Sequence, residues 1–409
     1  MPEVRQVVIT GVGAVSAAGI GVDKLWAAAR DGVSQIREFV FARPYKGRVK
    51  IAAQVRDFDP TQYIEPSMRP LCDPFTQYAV AAADEAMNQA GLSRAEPQGP
   101  RTAVILGTGI GGINTVDDGL HRIYATTENA RPDPLTIPRL IASAGPATLG
   151  MRYGCTGPTF AVASACSSAT QAIGMAMQMI RAGMIDRAIV GGSEASITNA
   201  TMLSWEALRV LTPDKCRPFS KNRNGMSIGD GAGMFILEAS EVARARRAKP
   251  IAILSGYGTT SDARDPVRPD VEGAAACMSQ ALADAGLPPR SIDYVNAHGT
   301  ATVANDANES EALARVFGNQ VARIPVSSTK PVHGHGLGAG GALELVITIN
   351  AMNDNIAPPT INFSEPDPKC EVDCVPNVAR EVPIKRAMSN SFAFGGINAT
   401  LIVEAAESA

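Results

Sequence analysis

The chain has 409 residues, a length that allows two or three domains or one large duplicated unit. Hydrophobic residues make up 45% and charged residues 19%, a globular composition that excludes a disordered, collagen-like or coiled-coil chain. The formal net charge of -3 supplies no overall basic field that would bind nucleic acid or an anionic membrane surface.

Short β-rich runs alternate with helical patterns along the whole chain. The strand-like runs cover residues 7–10, 103–106, 188–192, 234–238, 251–256 and 293–297. Apolar residues at helical spacing cover residues 75–90, 166–182, 271–285, 305–317 and 338–351. This alternation predicts an α/β fold built of layers.

The sequence shows no sign of a membrane span or an export signal. No apolar run reaches the ~18 residues that cross a bilayer, and the first residues lack a basic segment followed by an apolar stretch. The seven cysteines are odd in number and widely scattered, which is typical of reduced thiols. We therefore expect a soluble, cytoplasmic protein.

Two helical segments, one in each part of the chain, resemble each other. AAADEAMNQAGL at 81–92 and ACMSQALADAGL at 276–287 both end in Ala-Gly-Leu, before a proline-containing loop and a buried strand. Two unrelated helices with glycine C-caps would give the same pattern. The alternative interpretation is duplication, with halves at 1–250 and 251–409 that each supply one loop to a shared site.

The segment GTGIGG at 107–112 fits the glycine pattern of dinucleotide-binding turns. Such a site also needs a following helix and then an acidic residue on the next strand, about 20 residues later. The continuation INTVDDGLHRIY contains no strand before Arg131. The sequence therefore favours close backbone packing near a pocket over nucleotide binding.

A cysteine stands at the start of a helix in the segment TFAVASACSSATQAIGMAMQMIRAG, 159–183. A β-like run leads to Cys166, and a helix of small and apolar residues follows it. Unpaired N–H groups at a helix N-terminus favour a thiolate, so we expect a lowered thiol pKa and a nucleophile. The neighbouring serines leave a second interpretation, in which they cap the helix and Cys166 is a small core residue.

Three of the four histidines stand in two glycine-rich turns of the second half. His298 lies in NAHGTAT, and His333 and His335 follow Lys330 in STKPVHGHGLGAGG. Histidines at such turns indicate catalytic side chains presented at strand ends. His335 has the Gly-x-Gly context, whereas His333 is interpreted as structural.

The segment SNSFAFGGINATLIVE near the carboxyl end predicts two strands joined by a glycine turn. Side chains alternate along a strand, and Phe392 and Phe394 are two residues apart. The turn after them is expected to direct one ring into the core and the other beyond the strand end. The alternative is that both rings lie in the core.

Taken together, ACSSA, NAHGTAT, SSTKPVHGHGLGAGGALE and NSFAFGGIN resemble the motifs of chain-elongating β-ketoacyl-acyl-carrier-protein synthases. The resemblance spans nearly the whole chain, from VVITGVGAVSAAG to the last strand. It implies a thiolase fold with five layers, α-β-α-β-α, from two duplicated halves. It also implies a homodimer that acts on acyl and malonyl forms of acyl-carrier protein without a cofactor.

The resemblance also implies roles for individual residues. Cys166 would take the acyl group as a thioester, and His298 and His335 would stabilise the enolate formed when the malonyl group loses carbon dioxide. The backbone N–H groups of Cys166 and Phe394 would form the oxyanion hole. Phe394 would also act as a gate between the acyl and malonyl phases.

Other positions match supporting residues of that family. Lys330 would organise the site, with Asp306 and Glu309 neutralising it. Ile110 would limit the depth of the acyl pocket, and Arg209 would help to dock the acidic carrier protein. Positions that resemble those around a structural monovalent cation in some members are Asn296, Glu344, Ser389 and Asn390.

The chain departs from the family pattern near Lys330, where Pro331 and His333 replace the usual serine and threonine. Proline fixes φ and removes a donor, so the loop is expected to differ. The segment PSMRPLCDPF at 66–75 has one arginine where relatives often carry several basic residues. These departures fit a dedicated nodulation-type or polyketide pathway as readily as general lipid elongation.

Four other interpretations belong to different classes. A thiolase would use coenzyme A and a second cysteine, and a chain-length factor would lack the nucleophile that Cys166 provides. An NAD-dependent enzyme depends on GTGIGG alone, and a purely structural module leaves the order of cysteine, histidine and lysine motifs unexplained.

Overall fold

The computed structural model describes residues 4–126 and 131–406. Its strands are β1 Val7–Ser16, β2 Gly19–Ile20, β3 Arg37–Glu38, β4 Ile51–Ala52, β5 Thr102–Gly107, β6 Thr159–Val162, β7 Arg187–Glu194, β8 Gly231–Ala239, β9 Ala252–Ser261, β10 Tyr294–Asn296, β11 Val326–Ser327, β12 Ile356–Ala357, β13 Arg380–Glu381, β14 Arg386–Ala393 and β15 Ile397–Ala405.

The helices are α1 Val22–Arg30, α2 Pro74–Gln89, α3 Ile113–His121, α4 Thr136–Leu140, α5 Ala144–Tyr153, α6 Ser168–Arg181, α7 Asn199–Ala207, α8 Ser240–Ala245, α9 Val271–Ala285, α10 Val303–Phe317, α11 Lys330–His333 and α12 Gly340–Asp354. Within the described ranges, no helix is both long and apolar enough to cross a membrane.

The same strand order occurs twice in the sheet. The first part of the chain gives the order β6-β5-β7-β8-β1, and the later part gives β11-β10-β14-β15-β9. If each set is numbered along the chain, both orders become 3-2-4-5-1, with the same parallel and antiparallel pairs. Val7–Ile9 of β1 pairs with the start of β9 and joins the two sets.

Five layers follow from the helix contacts. The strand set of the first part of the chain is called the first sheet below, and that of the later part the second sheet. Helices α2 and α5 cover the outer face of the first sheet, and α9 covers the second sheet with α10 packed against it. Between the sheets lie α6 and α12, which contact each other and strands of both sets. The predicted thiolase fold with five layers, α-β-α-β-α, is therefore confirmed.

The central helices bury most of their residues, although α6 leaves Met175 and Gln178 exposed on one side. In α12 the exposed residues are confined to its last turn, and α6 buries Ala169, Ala172, Ile173 and Ala176. A helix without a polar face, such as α12, fits only between two other layers. The loops before α6 and before α12 are thereby brought to one region of the molecule.

Glycines allow α2 to lie directly on β1. A methyl group on Gly13 would lie 1.9 Å from the carbonyl oxygen of Ala82 in α2, and one on Gly11 would lie 2.0 Å from that of Ala86. Real Cβ atoms do not approach backbone atoms this closely, so the strand and helix would have to separate.

Gly13→Ala is therefore expected to destabilise the fold by about 1–3 kcal/mol through overpacking, seen as a lower urea midpoint. Gly119→Ala in α3 is the matched control, because nothing lies within 4 Å of its added methyl group. That control should be neutral or up to ~1 kcal/mol more stable, as alanine favours helices. Equal midpoints for both variants would contradict the close packing.

Candidate active site

The loops at one edge of the sheets carry the chemically interesting side chains. Cys166 follows β6, His298 follows β10, Lys330 follows β11 and Phe394 follows β14. Within each set the three parallel strands end at the same edge, so the residues just beyond them lie close together. The two sheets thus present their loops to one site.

The turn of Cys166 is shaped by the serines around it. Ser167 donates to the carbonyl of Ser164 at 2.9 Å, and the Ser168 hydroxyl accepts from the Ser164 N–H at 2.9 Å and donates to the Ala165 carbonyl at 2.6 Å. Ala165 adopts a left-handed conformation, with φ of 50°. Cys166 is 7% exposed and lines a cavity of about 130 Å³, so it is not merely a core residue.

Both predicted histidines face this sulfur. His335 Nε2 lies 3.0 Å from Cys166 Sγ, and the His298 and His335 rings meet edge to face with centroids 5.3 Å apart. One ligand atom from each of the three residues lies within 4.8 Å of the others. Such a set could bind a soft metal ion, but it equally suits a nucleophile with two polar rings beside it.

Both imidazoles are held in the neutral form. Burial lowers the pKa of His298 and of His335 well below the usual value, and the charge of Lys330 lowers both further. Within the described part of the chain, Nδ1 of neither ring has a hydrogen-bond partner. Each ring can therefore carry its proton on either nitrogen, and so either accept or donate at Nε2.

The thiol differs from the sequence-based expectation. Burial raises the pKa of Cys166 to about 12, although Lys330 and the Phe394 backbone N–H both lower it. The prediction of a lowered thiol pKa is therefore wrong, because desolvation outweighs the effects of Lys330 and the Phe394 N–H. Cys166 is a thiol beside a neutral base, His335.

The partner of Lys330 also differs from the expectation. The Lys330 ammonium is 1% exposed and donates to the His298 carbonyl and to Glu344 Oε1. Asp306 and Glu309 form no ion pair with Lys330. The direct ion pair of Lys330 is therefore with Glu344 on α12, while the charge of Lys330 still lowers the pKa of Glu309 against the larger effect of burial.

Asp306 and Glu309 instead bind backbone groups of the His298 loop. Glu309 accepts from the N–H groups of His298 at 2.8 Å and Gly299 at 2.7 Å, and Asp306 accepts from that of Ala301 at 3.1 Å. Both carboxylates are fully buried on α10. They orient the loop that carries His298.

Phe394 lies at the mouth of the cavity, as one of the two alternatives predicts. Phe392 is buried in the core beneath His298, with ring centroids 6.1 Å apart. Phe394 lies beyond the end of β14, is half-buried, and stacks on Trp205 with centroids 6.1 Å apart. Phe394 and Cys166 line the same cavity.

Two of the remaining predicted positions, Ile110 and Arg209, are not among the residues that line the cavity of Cys166. Ile110 is 42% exposed in the turn after β5, and Arg209 is exposed two residues beyond α7. Among the cation candidates, Glu344 binds Lys330 and Asn390 Nδ2 donates to Glu309 Oε1 at 3.4 Å. Ser389 is paired with Asn296 across β14 and β10.

The unusual residues beside Lys330 are accommodated in α11. Pro331 occupies the first turn of α11, where a backbone N–H has no intrahelical acceptor. His333 is buried, its Nε2 lies 3.0 Å from Thr329 Oγ1, and burial lowers its pKa to about 3. Its structural interpretation therefore agrees with its contacts.

The sequence gives Glu344 no role beside Lys330, and it gives Trp205 and Glu194 no role at all. Glu344 was assigned to a cation position rather than to Lys330, because 14 residues of sequence separate the two. Trp205 and Glu194 stand in segments without a recognisable catalytic pattern. Tertiary packing alone brings them to the site.

Comparison with known proteins supports the same chemistry. The family model described as "Beta-ketoacyl synthase, N-terminal domain" matches residues 4–243, and "Beta-ketoacyl synthase, C-terminal domain" matches residues 251–364. Among solved structures, the ishigamide ketosynthase/chain length factor superposes with a TM-score of 0.94 and 34% identity, over 99% of this chain and 100% of that one.

Two kinds of relative are similar over nearly the full length. "Nodulation protein E" of Rhizobium sp. (strain N33) is 42% identical over 97% of this chain and 98% of its own. "3-oxoacyl-[acyl-carrier-protein] synthase 2" of Coxiella burnetii is 39% identical over 98% of this chain and 99% of its own.

The state of the thiol can be tested by alkylation. Because its raised pKa leaves little thiolate at neutral pH, the rate of carboxamidomethylation at Cys166 should rise about tenfold per pH unit between mildly acidic and mildly alkaline pH. Peptide mass mapping separates Cys166 from the other buried cysteines, and Cys166→Ser is the control. A rate that levels off below neutral pH would contradict a protonated resting thiol.

Proposed function

Because the chain belongs to the β-ketoacyl synthase family, we propose that Cys166, His298 and His335 carry out its condensation reaction. The enzyme is a β-ketoacyl-acyl-carrier-protein synthase: it joins an acyl group to the malonyl group of malonyl-acyl-carrier protein and releases carbon dioxide. The observation that carries the residue assignment is the 3.0 Å contact of Cys166 Sγ with a neutral His335, beside His298 in one buried cavity.

The first half-reaction charges the cysteine. Sγ attacks the thioester carbonyl of the acyl-carrier protein while His335 Nε2 accepts the thiol proton. The tetrahedral intermediate then expels the carrier thiolate, which takes that proton. The acyl group becomes a thioester on Cys166, the carrier leaves as a thiol, and His335 is neutral again.

The second half-reaction needs donors rather than a base. With Nε2 protonated, neutral His298 and His335 donate to the malonyl thioester oxygen. The carbon–carbon bond to the carboxylate breaks and carbon dioxide leaves. The electron pair of the broken bond stays with the remaining fragment and forms the enolate. The enolate carbon attacks the acyl carbonyl and expels the Cys166 thiolate, which takes a proton from solvent.

Backbone groups stabilise the tetrahedral steps. A hydrogen bond from the Phe394 N–H to Cys166 supports its role as one donor to the carbonyl oxygen of a bound thioester. The Cys166 N–H supplies the second donor at the start of α6. Movement of Phe394 away from Trp205 would open the cavity between the two half-reactions, so Phe394 is the gate.

Lys330 and Glu344 act through the histidines. The Lys330 ammonium binds the carbonyl of His298 and its charge lowers the pKa of both rings. Together with burial it keeps the imidazoles neutral before each half-reaction, so that His335 can accept the thiol proton in the first and both rings can donate in the second. No proton passes through Lys330 in this scheme.

The carrier protein is the partner, and Arg209 is the docking residue. Its exposed guanidinium suits the acidic surface of a carrier protein.

A homodimer is supported by β6, which lies at the end of the sheet with Thr159 exposed and therefore offers its free edge to a second chain. The similar structure of the ishigamide ketosynthase/chain length factor supports a heterodimer as the alternative.

The enzyme would work in the cytoplasm. Within the chain, each of the two halves would supply part of the reactive groups. Residues 1–250 supply Cys166 and residues 251–409 supply Lys330, His298 and His335. The boundary lies between α8 and β9, where the second copy of the strand order begins.

A dedicated pathway is a second candidate for the biological role. The nodulation relative is 42% identical and the fatty-acid-type relative 39%, and Pro331 and His333 depart from the common pattern. Condensation rates with saturated, unsaturated and branched acyl-carrier proteins distinguish the two. A strong preference for one unusual chain supports a specialised enzyme.

Separate variants should divide the two half-reactions. Cys166→Ala removes the nucleophile but leaves the histidine pair, so condensation should vanish while malonyl-carrier protein is still decarboxylated. His298→Ala should still accept an acyl group but decarboxylate about 10²–10³ times more slowly, the usual cost of one oxyanion donor. Carbon dioxide release and product formation are measured, with circular dichroism to confirm folding.

Either of two results would refute this division. The first is condensation by folded Cys166→Ala, and the second is decarboxylation by His298→Ala at the parent rate.

The acyl pocket has its own test. If Ile110 closes the far end, Ile110→Phe should block long acyl chains by overpacking while short chains react as before. Rates with a short and a long saturated acyl-carrier protein are compared, and Ile110→Val serves as the conservative control. An unchanged chain-length preference in Ile110→Phe would rule out this assignment.

A further inference from the structure

A buried carboxylate that the reaction does not use lies between two parts of the site. Glu194 is the last residue of β7, and its side chain is completely buried. Strands β5 and β7 are parallel neighbours, with Gly107 opposite Gly192. The end of β7 therefore places Glu194 beside the turn after β5, which carries Ile110.

The carboxylate accepts hydrogen bonds from two separate segments. Oε2 accepts from the N–H groups of Gly109 at 2.5 Å and Gly338 at 3.1 Å, and Oε1 accepts from the Thr108 hydroxyl at 3.4 Å. The Ile110 N–H donates to it as well. One side chain thus connects the turn of Ile110 with the loop that follows His335.

The two segments are in backbone contact at this point. A methyl group on Gly338 would lie 2.1 Å from the Gly109 nitrogen, and one on Gly192 would lie 2.8 Å from the Gly338 oxygen. The turn that contains Gly338 also packs against the turn of Cys166. A small shift of one segment is therefore passed directly to the other.

Burying a carboxylate at this position costs folding free energy. A side chain that only filled space would be apolar, because a buried charge is unfavourable unless donors satisfy it. Burial raises the pKa of Glu194 to about 7, and the hydrogen bonds from Gly109, Gly338, Ile110 and Thr108 oppose that rise. Its acceptor capacity, rather than its volume, explains its presence.

We propose that Glu194 is a positioning residue that fixes the turn of Ile110 against the His335 loop and so sets the length of acyl chain accepted. The inference rests on the proposed role of Ile110 as the end of the acyl pocket. Glu194 touches no reacting atom, so it acts on the distance between pocket end and nucleophile.

Glu194→Gln tests the proposal with almost no change in volume. An amide has one acceptor oxygen, so it can serve Gly109 and Gly338 but puts an NH₂ group in place of Oε1, which accepts from the Thr108 hydroxyl. The turn should loosen, and kcat/KM for a long saturated acyl-carrier protein should rise about tenfold relative to a short one. The change should lie in KM for the acyl donor, with malonyl decarboxylation within about twofold of the parent.

Asp230→Asn is the matched control. Asp230 is also a buried carboxylate, but it accepts from the backbone of Ser196 and Ile197 and bonds to neither segment. Its chain-length ratio should equal that of the parent. If Glu194→Gln does not fold, Thr108→Val removes one donor to the carboxylate and should shift the same ratio in the same direction by about threefold.

The outcomes separate this inference from the proposed function. An unchanged ratio in a folded variant, or an equal loss with every substrate and in decarboxylation, overturns the positioning role. If the parent enzyme itself forms no acyl-Cys166, the proposed function fails instead.

Discussion

The buried ammonium of Lys330 is the interaction on which the site depends. An isolated charge in a protein interior is strongly unfavourable, and here Glu344 and the His298 carbonyl compensate it. Because Glu344 is on α12 and His298 follows β10, the pair also holds the central helix layer to the second sheet. Burial is the main cause of the low pKa of both imidazoles, and the same positive charge lowers it further.

The duplicated topology explains why the reactive groups come from two distant parts of the sequence. Each strand set ends its parallel strands at one edge, and the central helices α6 and α12 bring those edges together. Cys166 precedes α6, while Lys330 and His335 precede α12. A nucleophile and its polar partners are therefore held by different sheets, and the cavity lies between them.

The sequence predicted the long elements and the residues that meet in the cavity well, because periodicity and glycine-rich turns are local signals. The α9 prediction of 271–285 agrees with the structure, and Cys166, His298 and His335 do meet. Partners and pKa values were predicted poorly. Glu344, and not Asp306 or Glu309, forms the ion pair with Lys330, and burial raises the pKa of Cys166. The ion pair and the pKa both depend on tertiary packing that no local sequence pattern encodes.

Intact-protein mass spectrometry tests the central claim most directly. After incubation with one acyl-carrier protein, the enzyme should gain the mass of a single acyl group, and peptide mapping should locate it on Cys166. Addition of malonyl-carrier protein should then remove that mass as β-ketoacyl product forms. An acyl group on another residue, or an acylated Cys166 that malonyl-carrier protein does not discharge while product still forms, would contradict the account.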